Sequence, residues 1–194
     1  MLTPKLVPEI PHILHSFDTD RPFDTCLVCG KELFMADEEY IIEKSFRRFS
    51  EYGADDVAFE YAICIECVQN LNRSYSRESM QKLERYFSEN VDFEARHENF
   101  YDQEDYEFLD WTAQCVVKGT PKEALREYQI AAHCRGSQMI YSHFPFVIGG
   151  AAMDEIIDLM SSETLNAMND FVGNYLGISP EVLSPEDSPR IVLL

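Results

Sequence analysis

The sequence predicts an α+β protein: a cysteine-rich unit built from a tight turn, a β-hairpin and a helix, followed by a mainly helical C-terminal region. Three patterns carry that expectation. Two Cys-x-x-Cys pairs, CLVCG at residues 26–30 and CIEC at residues 64–67, flank two runs rich in β-branched and aromatic residues. Beyond Cys67 the apolar residues Val68, Leu71, Tyr75, Met80, Leu83 and Phe87 recur at helical spacing with charges between them. The last third carries further helix-start and helix-stop signals.

Residues 1–22 read as an extended arm, because Pro4, Pro8 and Pro11 each remove a donor and push the preceding residue out of the helical region. Residues 23–90 form the cysteine-rich domain. Within it, residues 38–49 and 56–63 are the strands of a hairpin, and Gly53 supplies the turn. One or two helices are expected over residues 65–88. Residues 91–111 are an acidic-aromatic connecting segment, and residues 112–194 a helical domain. In the latter, Thr120, Pro121 and Glu123 make an N-terminal signal for a helix running to Cys134. GGAAMDEIIDLM and the stretch from Ser161 or Ser162 to the stop at Gly177 supply two more helices, and the Pro-rich tail ends in an apolar segment suited to a short strand.

Hydrophobic residues make up 45% of the chain and aromatics 12%, a composition that folds. Lys and Arg total 16 against 35 Asp and Glu, for a formal charge of −19. A field of that sign repels nucleic-acid phosphate and anionic lipid, so a basic partner matches it better. The N-terminus has no apolar core of a secretory signal. The longest apolar run, residues 144–153, falls well short of the ~20 residues that cross a bilayer. A soluble cytoplasmic protein is the expectation. There thiols stay reduced, and six cysteines are better explained as metal ligands and buried thiols than as disulfides.

Four thiolates suit zinc, which is borderline soft and accepts a closed tetrahedral set. Cys26 and Cys29 precede Gly30, which can take the positive φ needed to turn the chain back. Cys64 and Cys67 fall where a strand hands over to a helix, whose N-terminal N–H groups favour thiolates. Independent redox motifs and an iron site are the alternatives, although only the second pair has the strand-then-helix setting of a redox Cys-x-x-Cys. The order of knuckle, hairpin and helix over residues 26–88 resembles the treble-clef zinc fingers. That resemblance implies a metal-held core and no single task, because the scaffold serves nucleic-acid binders, nucleases and protein-interaction modules alike. A nuclease of the His-Asn-His type would need histidines near the hairpin and helix, and none occurs between residues 23 and 86.

The leading expectation is therefore a zinc protein with a structural site at Cys26, Cys29, Cys64 and Cys67 that acts through contacts with an unknown protein partner, a basic one matching the charge best. A second reading is a nucleic-acid-associated regulator using a stripe of Arg73, Arg77 and Arg85, with Gln81 completing the spacing; its bland counterpart is a solvated face with a Glu78–Lys82 pair. Asp102, Glu104, Asp105 and Glu107 could select a basic partner while Phe93, Phe100, Phe108 and Trp111 anchor it, or these aromatics could simply pin the segment to the protein. A third reading is an enzyme with a pocket between the halves using His97, His133 or His143, though no spacing assembles them. Cys115 and Cys134 read as buried thiols.

Overall fold

Strands β2 (Glu39–Phe49) and β3 (Ala54–Cys64) form the expected hairpin, closed at Gly53 with φ 59°. They are the starting point of the fold in the computed structural model, which describes residues 5–7, 9–35, 37–49 and 53–177. Two helices follow, α1 (Ile65–Arg73) and α2 (Arg77–Asn90). A short turn of helix α3 (Phe93–Arg96) runs on as a π-turn over His97–Tyr101, and α4 (Phe108–Trp111) closes the acidic segment. Strands β4 (Glu127–Arg135), β5 (Gln138–Tyr141) and β6 (Phe146–Gly149) come next, then α5 (Gly150–Leu159) and α6 (Ser162–Phe171).

The helix expected from Thr120 to Cys134 is a strand. Its start signal is used, but only for one 3-10 turn at Lys122–Ala124, after which β4 pairs with β2 from Glu39↔Arg135 to Arg47↔Glu127. Both faces of β4 are covered, so Tyr128 to Ala132 are buried without alternation, and such a stretch is not separable from a buried helix by periodicity. The C-terminal region thus adds three strands to its helices. With β1 (Lys5–Val7) on β5, the sheet runs β1-β5-β4-β2-β3, and β6 also pairs with β4; every pairing is antiparallel. Residues on either side of the boundary expected at 111 therefore share one sheet.

Alternation along β2 sends Glu39, Ile41, Glu43 and Ser45 to one face and Tyr40, Ile42, Lys44 and Phe46 to the other. The N-terminal arm lies against the second face. Leu14 is fully buried there, Lys44 Nζ donates to the His15 carbonyl at 2.6 Å, and the Phe17 N–H donates to Glu60 at 2.7 Å. Burying a side chain such as Leu14 contributes about 2 kcal/mol. On the first face, Phe171 of α6 meets Tyr61 edge-on at 5.4 Å, and Ala152, Met153 and Ile156 of α5 pack with Ala131, Phe146 and Ile148.

The expected stops and caps are present. Ser161 accepts from the Thr164 N–H at 3.3 Å, and Gly177 has φ 65°. Ser76 caps α2 in the same way, accepting from Ser79 at 3.1 Å. The two caps interlock: the Ser161 N–H donates to Ser79 Oγ at 2.8 Å, the Ser76 N–H donates to Thr164 Oγ1 at 3.0 Å, and the Ser161 hydroxyl donates to Ser76 Oγ at 2.8 Å. The expected tail strand lies outside the described residues.

Because Ser161 both caps α6 and bonds the cap of α2, Ser161→Ala is expected to cost about 1–2 kcal/mol, at or above an ordinary cap. Urea unfolding should show a lower midpoint with an unchanged m-value.

Candidate metal centre

The first cysteine pair sits in a small, tightly bonded turn. Thr25 bridges Glu32, the Cys26 N–H donates to the Lys31 carbonyl at 2.8 Å, and the Gly30 N–H returns to the Cys26 carbonyl at 2.9 Å. Gly30 takes φ 70°, the left-handed conformation its place after Cys29 required. The Leu27 N–H then donates to the Ala62 carbonyl at 2.9 Å, which docks the turn on β3. Cys64 ends that strand in the N-cap position of α1, and Cys67 lies in the first helical turn.

These elements bring the four sulfurs of Cys26, Cys29, Cys64 and Cys67 within 4.8 Å of one another. Cys29 Sγ and Cys64 Sγ are 3.8 Å apart. That is far longer than a disulfide at ~2.05 Å. It equals the ~3.8 Å edge of a tetrahedron whose corners lie ~2.3 Å from a central ion, the zinc–sulfur distance. Cys26 and Cys64 are buried, Cys67 is half-buried and Cys29 is exposed. The four-cysteine group can hold a metal ion, and its donor chemistry fits zinc.

The thiols differ in acidity. Burial would raise Cys26, but N–H groups of Cys29, Cys64 and Val28 outweigh it and bring its pKa down to about 7. Burial raises Cys64, and burial together with the neighbouring thiols raises Cys67 well above its ordinary value. A cation placed among the sulfurs reverses that penalty, since each thiolate then meets opposite charge. Lys31, paired with Glu66 at 3.2 Å and Glu38 at 3.3 Å, feels the field of Cys64 and offsets part of the negative charge of a four-thiolate site. No family model, curated protein or solved structure matches the chain.

The remaining candidate residues are spread over several elements. Arg73 is at the end of α1, bonded to Asn70 at 2.9 Å, whereas Arg77 and Arg85 lie on α2 across a turn. All three are exposed, but they do not share one helix. The Glu78–Lys82 pair is present at 2.7 Å. Asp102, Glu104 and Glu107 are exposed, while Asp105 accepts from the Glu107 N–H at 3.0 Å and its carbonyl accepts from the Trp111 indole at 2.7 Å. Phe108 and Trp111 are buried in the core, so these two aromatics pin the segment rather than wait for a partner. The Phe100 side chain lies outside the description. His97 approaches Asp102 at 3.6 Å and His133 approaches Glu39 at 3.1 Å. Cys134 and Cys115 are buried, Cys115 accepting from the Gly149 N–H at 3.3 Å; His133 and Cys134 point to opposite faces because they are neighbours on a strand.

Several consequential residues gave no sequence signal. Arg96 is half-buried, donating to the carbonyls of Trp111 at 3.0 Å and Pro145 at 2.5 Å and lying 4.8 Å from the Trp111 ring; loss of solvent around it pulls its pKa down to about 10, still charged at neutral pH. Backbone oxygens and a π-face are among its partners, and no local pattern announces them. Glu43 is buried, accepting from Tyr61 and, at 2.7 Å, from Gln129.

At pH 7 an incoming dication must displace the protons of Cys64 and Cys67 and part of the proton on Cys26. Metal affinity should therefore fall by at least about a hundredfold per pH unit below 7, the slope of releasing two or more protons. Titrations in buffers of different ionisation enthalpy would count the protons, and a count below two would contradict the thiol assignment.

Proposed function

We propose that the ion is zinc, that the closed four-cysteine site is structural, and that the protein acts through contacts with another protein. The carrying observation is that four protein sulfurs lie within 4.8 Å of one another, so the chain itself can complete a tetrahedral set. Such a set leaves no open position for water or substrate, which favours scaffolding over catalysis. The order of docked turn, hairpin and helix, with Cys64 and Cys67 at the helix start, supports the treble-clef reading. A soluble, cytoplasmic setting agrees with six free thiols, and no helix among the described residues is long and apolar enough to cross a membrane. The formal charge of −19 favours a basic partner, and the separation of Arg73 from Arg77 and Arg85 gives the nucleic-acid reading no added support.

Elemental analysis of purified protein should find one zinc per chain, and Cys64→Ser should lose both the zinc and the cooperative thermal transition, because the site joins the docked turn, β3 and α1. A variant that melts as the parent does would show the metal not to be structural. A basic protein captured by the intact chain and not by Cys64→Ser, with the direct interaction reproduced from purified components, is the expected result for the partner; no reproducible interaction would remove that half of the reading.

A further inference from the structure

Helix α2 does not close flush against the body of the protein. Between it and the segments around Phe93, Val116 and Phe146 lies a pocket of about 460 Å³, a size typical of small-ligand sites. Met80, Leu83, Phe87, Phe93 and Val116 line it and are all only half-buried, so apolar surface faces water there. Two polar groups stand at this pocket, Glu84 and His143, the latter edge-on to Phe93 at 4.9 Å.

The charge on Glu84 is uncompensated. Its i±3 and i±4 neighbours on α2 are Met80, Gln81, Phe87 and Ser88, none of them a cation. The nearest lysines along the lining segments are already committed, Lys82 to Glu78 at 2.7 Å and Lys118 to Glu155 at 2.6 Å. Glu84 has no ion-pair partner among the described residues. An apolar cavity with one unmatched carboxylate, in a chain of charge −19, complements an apolar group that ends in a cation.

We propose that this pocket binds a small molecule made of a short apolar chain or ring bearing a protonated amine. The apolar part displaces water from Leu83, Phe87, Phe93 and Val116, and the ammonium sits over Glu84. The site is separate from the cysteines and does not depend on the partner-protein reading.

The test uses the full chain with n-hexylamine, n-hexanol and n-hexanoate, followed by methyl NMR shifts at Met80, Leu83 and Val116. Hexylamine should bind about tenfold more tightly than hexanoate, a difference of about 1.4 kcal/mol, since an exposed carboxylate attracts the one and repels the other. Glu84→Gln should abolish that preference, and Leu83→Trp, which fills the pocket, should abolish binding while leaving the thermal midpoint within a few degrees. A preference that survives Glu84→Gln arises from the net charge of the chain and overturns the proposal. So would equal affinity for hexanoate, shifts that map elsewhere, or no binding. A concentration-dependent dimer dissolved by Leu83→Asp, without amine binding, would make a second copy the occupant and also overturn it.

Discussion

Everything in the fold depends on β2 being paired along both edges. It is matched to β3 from Tyr40↔Cys64 to Phe49↔Ala54, and to β4 from Glu39↔Arg135 to Arg47↔Glu127. Because side chains alternate, a slip of one residue on either edge would turn every buried group of β2 to the wrong face. The register therefore also sets where Cys64 stands when the turn carrying Cys26 and Cys29 arrives. The four-cysteine group spans residues 26 to 67, and Cys64 stands where the pairing of β3 with the doubly paired β2 puts it.

Two adjacent buried charges show how firmly the register is specified. Glu43 and Lys44 point to opposite faces, and each is answered on its own side. Glu43 accepts from Tyr61 and Gln129, while Lys44 pairs with Glu60 at 2.7 Å and donates to His15. Shifting β2 by one residue would bring Glu43 to the side of Glu60 and leave Lys44 facing Tyr61 and Gln129, with like charges together and donors without acceptors. Buried ion pairs contribute little net stability, but an unpaired buried charge costs several kcal/mol. The pair therefore acts mainly against wrong registers. Its cost also falls on the arm, since the acceptor at His15 belongs to the segment that covers this face.

How much was legible followed how local each signal was. The cysteine pairs, the hairpin with Gly53, the Glu78–Lys82 pair, the Ser161 cap and the stop at Gly177 are encoded within a few residues, and they appear as read. β4 was misread because EYQIAAHC, buried on both faces, has no alternation, and its small residues Ala131 and Ala132 suit a helix as well as a strand. Pairing with β2 decides the matter, and β2 is some ninety residues away in sequence. The arginines are divided between two helices for a related reason: a single helical period does not continue through Ser74–Ser76, where the chain turns and Tyr75 becomes buried. Arg96 and the α2 pocket were invisible because both are made by segments that meet only in three dimensions.

On the proposed reading, the cysteine site and the α2 pocket are linked by placement. Cys64 and Cys67 fix the start of α1, and α1 fixes the turn at which Tyr75 enters the core. Ser76 begins α2 directly after that turn and is locked to Ser161 and Thr164 at the head of α6. The position of Met80, Leu83 and Phe87 is thus set from two directions, by the sulfurs through α1 and by the hydroxyls from α6. Along its length α2 is held as well, by the Tyr86 hydroxyl donating to Glu155 of α5 at 2.7 Å and by Leu83 and Phe87 packed against the core beside α5. The pocket lining is therefore braced at several points of α2, and none of the residues lining it belongs to the four-cysteine group.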